Sequence, residues 1–197
     1  MPRLRTPLLV AAATLTVFLT GCSGGAPAPT ASPSPTASPS PTASPTPTAS
    51  VDPNAPAGQC ADDALSVSIS GGDGGAGSIG YDLVFTNEGS ASCELRGAPG
   101  VSVIDGSGAQ LGEPAEQVDD DAPETLTLQS GASVVAPLTA VNIDPDGGPL
   151  DDCPVVHGTG YRVFPPHSFT GFVVEASNVP ACDSSTVFLK VGPVQAS

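Results

Sequence analysis

The chain has 197 residues, which is room for one domain of ordinary size and an additional linker or targeting segment. Gly and Pro number 23 each, Trp is absent, and five basic residues oppose twenty acidic ones to give a formal charge of −15. A surface this negative repels phosphate backbones, so the composition argues against a nucleic acid partner. Cations, basic proteins and neutral glycans remain open as partners.

Residues 1–21 are predicted to form a lipoprotein signal peptide. Arg3 and Arg5 precede the apolar run PLLVAAATLTVFL, an arrangement typical of the n-region and h-region of exported proteins. This run is shorter than the roughly 20 residues that a membrane-spanning helix needs. The next four residues, LTGC, resemble a lipobox, whose cysteine receives a diacylglycerol and becomes the new N-terminus. We therefore expect a palmitate-bearing lipid anchor at Cys22 and a location on the extracytoplasmic face of the cell membrane.

Residues 22–58 are predicted to form the lipidated cysteine and a disordered stalk. The segment consists almost entirely of Pro, Ser, Thr, Ala and Gly, and the sequence ASPSPT occurs at Ala31 and again at Ala37. Such a composition cannot bury a hydrophobic core. Frequent Pro favours an extended polyproline II chain, so the stalk is interpreted as a spacer that lifts a domain off the membrane.

Residues 59–197 are predicted to form a domain built from β-strands. Apolar and polar residues alternate in short runs, which is the pattern of half-buried strands, and Gly-, Asp- and Ser-rich turns separate these runs. About eight strands in a domain of this size predict an all-β fold, an antiparallel and immunoglobulin-like β-sandwich. The alternating positions include Leu65–Ile69, Tyr81–Phe85, Val101–Val103, Leu126–Leu128, Val134–Ala140, Tyr161–Val163, Phe172–Val174 and Val187–Val191.

Four cysteines follow Cys22 in the chain: Cys60, Cys93, Cys153 and Cys182. An even number of cysteines in an exported domain indicates two disulfides. Three pairings are compatible with the sequence. We favour Cys60 with Cys93 and Cys153 with Cys182, which places one cross-link in each half of the domain.

Several segments resemble DUF4232, an actinobacterial extracytoplasmic domain family of unknown function. They are Cys60 before the first strand, the turn GAGS at residues 75–78, the segment LVFTNEGSASCELRGAPGVSV at residues 83–103, Cys153, and YRVFPP at residues 161–166. The family often has an aromatic residue where this chain has Ala98. The resemblance covers essentially residues 59–194. It implies a secreted or lipid-anchored β-sandwich and brings no activity and no functional residues with it.

One acidic loop contains a weak calcium-binding pattern. Asn142, Asp144 and Asp146 place side-chain oxygens at alternate positions and are followed by Gly147, as at the start of a D-x-[DN]-x-[DN]-G loop. The twelfth position is Cys153 instead of a bidentate glutamate. Solvated acidic residues of a turn are therefore the favoured interpretation, and no other cofactor is expected.

Catalytic patterns are weak throughout the chain. A G-x-G-x-x-G match at residues 75–80 opens a strand, whereas a dinucleotide site needs it to open a helix. His157 or His167 could be combined on paper with Ser168 and an aspartate, but triads are recognised by geometry. Asp119–Asp121 is interpreted as an exposed charged loop.

We expect a non-enzymatic surface lipoprotein that binds an unknown envelope protein or glycan. The domain is poor in the His, Lys and Tyr that enzymes concentrate in a catalytic pocket. An envelope hydrolase with an unrecognised site is the alternative function, and a purely structural spacer is a third.

Overall fold

Twelve β-strands and one short 3-10 turn form the secondary structure in the described part of the chain. The computed structural model describes residues 52–75, 77–118, 123–146 and 148–197. The 3-10 turn is Asp62–Ala64, and the strands are β1 (Leu65–Gly75), β2 (Ser78–Asn87), β3 (Cys93–Leu95), β4 (Gly100–Ile104), β5 (Gln110–Leu111), β6 (Glu116–Gln117), β7 (Leu126–Leu128), β8 (Ser133–Val141), β9 (Val155–Phe164), β10 (Phe172–Cys182), β11 (Leu189–Val191) and β12 (Gln195–Ala196).

The first sheet has the strand order β1-β2-β8-β11-β6, with β12 paired to β8. β1 and β2 form a long antiparallel hairpin, and β2 pairs with β8 along nine consecutive residue pairs. Leu83 and Phe85 of β2 and Ala136 and Leu138 of β8 are fully buried, whereas the residues between them are more exposed. The period-2 pattern of the sequence therefore marks the inner face of this sheet correctly.

The second sheet has the order β10-β9-β4-β5, with all its neighbours antiparallel. Val101 and Val103 of β4 and Tyr161 and Val163 of β9 are buried. They belong to one hydrophobic cluster with the buried side chains of the first sheet. The core therefore lies between two sheets, and the predicted all-β, antiparallel sandwich is confirmed.

Three details of the strands differ from the sequence prediction. The pairing of β11 with β6 is parallel, and the chain crosses from β5 in the second sheet to β6 in the first. β3 and β7 form a separate two-stranded sheet, and the very short β5, β6 and β12 carry too few residues to show a period. Val187 is 43 % exposed and precedes β11, so it does not extend the predicted last strand.

Both predicted disulfides are confirmed. Cys60 is bonded to Cys93 with a Cα–Cα distance of 4.8 Å, and Cys153 is bonded to Cys182 at 4.6 Å. These distances lie in the range that disulfides require. The first bond fastens the segment before β1 to β3, and the second joins the start of β9 to the end of β10.

The last residues assigned to the stalk lie against the domain. The Gly58 carbonyl accepts a hydrogen bond from the Glu94 backbone N–H, and the Gly58 N–H donates to the Glu94 carboxylate. The Arg96 guanidinium donates to the Asn54 carbonyl. The chain is therefore fastened to the domain several residues before Gln59, where the composition changes. The predicted signal peptide, Cys22 and the predicted stalk up to residue 51 lie outside the described residues.

Removing either disulfide should destabilise the domain substantially. The bonds close loops of 33 and 29 residues, so loop-closure entropy predicts a loss of roughly 3–4 kcal/mol of unfolding free energy for each. We expect the Cys60→Ser/Cys93→Ser and Cys153→Ser/Cys182→Ser double variants to show similar losses in urea unfolding. Wild-type protein under reducing conditions is the control and should lose more than either double variant. A double variant as stable as the oxidised wild type would contradict the expectation.

Candidate functional site

One concave surface of the domain is a groove beside the second sheet, which we call the sheet groove. One wall is the β4–β5 turn at Asp105–Gly108, and the other is an outward bulge of β10 at Ala176–Asn178. Ile104, Thr159 and Val173 lie between the walls. The groove has a volume of about 770 Å³, which is within the size range of small-molecule sites.

The first wall is held rigid by the Asp105 carboxylate. Asp105 Oδ1 accepts hydrogen bonds from the Ser107 N–H at 2.8 Å, the Ser107 hydroxyl at 2.7 Å and the Ala109 N–H at 2.9 Å. The Ser107 side chain, followed by the Ala109 backbone, lowers the pKa of Asp105 below its ordinary value of 3.8, because these donors stabilise the charged form. Arg162 donates to the Gly108 carbonyl at 2.6 Å and fastens the turn from the neighbouring strand β9.

The second wall exists because β10 carries extra residues opposite β9. Glu175 pairs with Gly160 and Val179 pairs with Gly158, so residues 176–178 stand opposite Thr159 alone. A Cβ atom at Gly160 would come 2.5 Å from the Val174 carbonyl oxygen, so only glycine allows this close approach of the strands. Asn178 has a φ of 58°, a left-handed conformation that Asn tolerates better than most residues. The bulge therefore exposes Ser177 and Asn178 along the groove, whereas Ala176 packs partly against the core.

The groove combines an apolar surface with many polar groups. Val173 is 60 % exposed, although large hydrophobic side chains are usually buried. Ser107, Thr159, Ser177 and Asn178 contribute hydroxyl and amide groups to the lining. These groups can donate hydrogen bonds to a ligand and accept them from it. The arrangement suits a neutral polar ligand that also has an apolar face.

A second cavity, which we call the stalk pocket, lies where the stalk meets the domain. Its volume is about 580 Å³, and it is lined from the stalk side by Asp52 and residues 55–57 and from the domain by residues 59–63 and 167–169. The His167 Nδ1 atom lies 2.9 Å from Asp52 Oδ2, across 115 positions of sequence. This hydrogen-bonded pair joins residue 52 to the turn between β9 and β10.

The pairings in the stalk pocket bear on the hydrolase alternative. The Ser168 hydroxyl donates to Asp62 Oδ1 at 2.6 Å, whereas His167 is paired with Asp52. The two neighbouring residues thus use different carboxylates, and Ser168 directs its proton to Asp62. His157, the other histidine, is exposed on β9. This geometry lacks the serine-to-histidine hydrogen bond on which nucleophile activation depends.

Asp144 of the predicted calcium loop organises its own turn. Its Oδ1 atom accepts hydrogen bonds at 3.0 Å from the N–H groups of both Asp146 and Gly148. The Asn142 N–H donates to the Gly77 carbonyl, and both Asp144 and Asp146 are exposed. Across the described ranges, no group of three or more His, Cys, Asp and Glu side chains is arranged to hold a metal ion. Gly147 and Asp119–Asp121 lie outside those ranges, and calcium binding by this loop stays a prediction.

Tyr161 is the one group whose pKa is strongly displaced in the described part of the chain. Burial raises the pKa of this phenol, and the neighbouring Tyr81 ring raises it further. The ring centroids of the two tyrosines are 6.5 Å apart. Tyr161 points into the core and stays neutral at physiological pH, so it serves packing.

The fold and its cross-links define a disulfide-bonded β-sandwich domain. The model of the family described as "Domain of unknown function (DUF4232)" matches residues 60–195, and the chain belongs to this family. No curated protein and no solved structure matches the chain. In the described residues, no helix is long and apolar enough to cross a membrane.

Neither the sheet groove nor the stalk pocket was predicted from the sequence. The groove walls come from a turn and a strand bulge about 70 residues apart, and the contact between Asp52 and His167 spans most of the domain. Two signals were present in the sequence. DGSG at residues 105–108 is a turn motif, and the run EASNVP at residues 175–180 interrupts the alternation of β10.

The contribution of Asp105 to stability should depend on pH. Its pKa is lower in the folded state than in the unfolded chain, so its stabilising effect is complete above about pH 3.8 and is lost as the pH falls through the folded-state value. We expect the melting temperature of Asp105→Ala to lie below that of the wild type at pH 7, with a smaller difference at pH 2. Calorimetry at several pH values measures this.

The matched control is Glu113→Ala, which removes an exposed carboxylate elsewhere. It should change the melting temperature by less than Asp105→Ala at pH 7. A wild-type advantage over Asp105→Ala that is the same at pH 7 and pH 2 would show that the Asp105 charge does not support the turn.

Proposed function

We propose that this protein is a cell-surface lipoprotein whose β-sandwich acts by binding and not by catalysis. The sheet groove is the observation that carries the binding role, because it is an open polar surface between two shaped walls. The Leu-Thr-Gly-Cys run that ends at Cys22 after a short apolar segment supports the lipid anchor. The Pro-rich segment that follows supports a stalk between membrane and domain.

The preformed shape of the groove favours recognition. Asp105 and Arg162 hold one wall by hydrogen bonds, and the paired strands β9 and β10 hold the other. A rigid site loses little conformational entropy when a ligand binds, so modest contacts suffice for useful affinity. Loops on a cross-linked scaffold commonly carry such sites.

The groove chemistry favours a neutral, hydroxyl-bearing ligand, and we therefore propose a glycan of the cell envelope. Hydroxyl and amide side chains line the groove next to the exposed Val173, which can contact the apolar face of a sugar ring. Asp105 and Glu175 add acceptors for ligand hydroxyl groups and disfavour an anionic ligand.

Changing Cys22 should release the protein from the membrane. We expect Cys22→Ser to be processed poorly or to lose its anchor, because the lipid is attached to the thiol. Metabolic labelling of growing cells with a palmitate analogue, followed by cell fractionation, measures both effects. Ser34→Ala, a change in the Pro-rich segment, is the control variant and should keep the label. A Cys22→Ser protein that remains membrane-bound and normally cleaved would refute the lipobox.

The sheet groove should bind neutral oligosaccharides reversibly. We expect chitotetraose or maltotetraose, titrated into the full chain, to shift the backbone amide resonances of Ser107, Thr159 and Asn178 in a saturable way. Val173→Lys should weaken this binding by roughly tenfold or more, about 1.4 kcal/mol, because the new side chain occupies the space between the walls. Val187→Lys changes another exposed valine outside the groove lining and should leave binding intact.

Two results would contradict the groove proposal. Equal binding by the Val173→Lys and Val187→Lys variants would place the ligand elsewhere. Turnover of esterase, peptidase or glycosidase substrates that is lost in His167→Ala would favour the envelope hydrolase instead.

A further inference from the structure

The stalk pocket has features that the proposed glycan groove does not use. Its walls come from two parts of the chain that are distant in sequence, and they are joined by the Asp52–His167 pair and by the Arg96–Asn54 contact. The Gln59 N–H donates to the Pro56 carbonyl, and the Cys60 N–H donates to the Glu94 carbonyl. The stalk end is thus a fixed part of the pocket wall.

Five of the residues that line this pocket are apolar. They are Ala55, Pro56, Ala57, Ala61 and Phe169. Phe169 is 66 % exposed, in a chain that has only six Phe, two Tyr and no Trp. An aromatic ring exposed beside a cavity offers a flat surface for an aliphatic chain or a cation.

The pocket also has two acidic residues that are adjacent in sequence. Asp62 and Asp63 lie next to each other in the 3-10 turn, and both line the pocket. Asp62 uses one carboxylate oxygen for the Ser168 hydroxyl, and Asp63 is exposed to solvent. The domain has three arginine and lysine residues in total, and none of them lines this pocket. They are Arg96, Arg162 and Lys190. A cation is therefore the ligand that the charge favours.

An unpaired acceptor accompanies these carboxylates. Gln59 donates through Nε2 to the Pro166 carbonyl at 3.0 Å, whereas its Oε1 atom is buried and has no hydrogen-bond partner in the described part of the chain. A buried acceptor without a partner costs free energy. Gln59 is also one of the residues that line the pocket.

We propose that the stalk pocket binds a basic side chain of a peptide, an amino or guanidinium group on an aliphatic stem. The charged group lies beside Asp62 and Asp63, and the stem packs against Phe169 and the alanines of the stalk end. This site takes a cation and is separate from the sheet groove, so it would give the protein a second ligand of different chemistry.

The test uses the full chain with 13C-labelled Phe rings and two small probes. N-acetyl-lysine methylamide carries the ammonium group, and N-acetyl-norleucine methylamide has a similar stem without the charge. We expect the lysine probe to shift the Phe169 ring resonance in a saturable way and to bind at least about threefold more tightly than the norleucine probe. Added salt should weaken the binding of the lysine probe and leave the binding of the norleucine probe unchanged, because screening acts on the charge of the ammonium group.

Variants separate the contributions of charge and ring. Phe169→Ala and Asp63→Asn should each weaken the lysine probe by about two- to fivefold, the scale of exposed cation–π and ion-pair contacts. Probe binding to the Asp63→Asn variant is followed by the Phe169 ring resonance. Probe binding to the Phe169→Ala variant is followed by the Ala61 amide resonance. Asp73→Asn removes an exposed carboxylate at the other end of β1 and should leave affinity unchanged.

The proposal is overturned if the lysine probe leaves the Phe169 resonance unshifted, if the norleucine probe binds equally well, or if Asp63→Asn behaves like Asp73→Asn. Val173→Lys, the groove variant, should leave lysine binding unchanged. The stalk-pocket proposal and the groove proposal are therefore tested by different variants, and either one can fail without the other.

Discussion

The Cys153–Cys182 disulfide closes the open end of the β9–β10 hairpin, and both concave surfaces depend on this hairpin. The bond lies next to the Val155–Cys182 pair, where the two strands separate. At the other end, the turn between the strands carries residues 167–169 of the stalk pocket. The bulge of β10 that forms one groove wall lies between these two points. A covalent bond at one end therefore supports a projecting bulge that would otherwise weaken the pairing of the strands.

Close packing of glycines maintains the bulge. Gly158 lies against Val103 and the Ile104 carbonyl, and Gly160 lies against the Val174 carbonyl, in both cases nearer than any Cβ atom could approach. These contacts draw β9 toward β4 on one side and β10 on the other. The extra residues of β10 bulge beside these close contacts, with Ala176 packed partly against the core and Ser177 and Asn178 exposed. The glycine contacts and the bulge together set the position of the groove wall.

Much of the frame could be predicted from the sequence, because it rests on local patterns and on the cysteines. Alternation marks Leu83 and Phe85 as inward-facing, and an even cysteine count indicates the two disulfides. The groove and the stalk pocket could not be predicted, because they depend on contacts that no local pattern encodes. The Asp52–His167 pair joins a segment that resembles disordered linker to a turn 115 positions away. His167 also has a φ of 60°, which sequence patterns do not reveal.

The Asn-x-Gly motif, in the segment that most resembles the family, has a structural role. Asn87 is fully buried, and its Nδ2 donates to the carbonyls of Ala91 and Leu128, while its Oδ1 accepts from the Gly89 N–H at 2.9 Å. A Cβ atom at Gly89 would lie 3.0 Å from the Ala64 Cβ, so a larger residue would force a neighbour to move. The Asn-x-Gly motif therefore fixes the connection from β2 to β3.

The scaffold motif and the two candidate sites lie in different parts of the chain. Cys93 follows this connection and carries the bond to Cys60, so the motif and the disulfide position the segment that leads into the domain from the stalk. The groove walls at residues 105–108 and 176–178 lie outside the motif of residues 83–103. Family membership thus describes the scaffold of this domain. The ligands proposed for this chain would be recognised by the groove walls and the stalk pocket, so its function has to be argued from those residues and not from the fold.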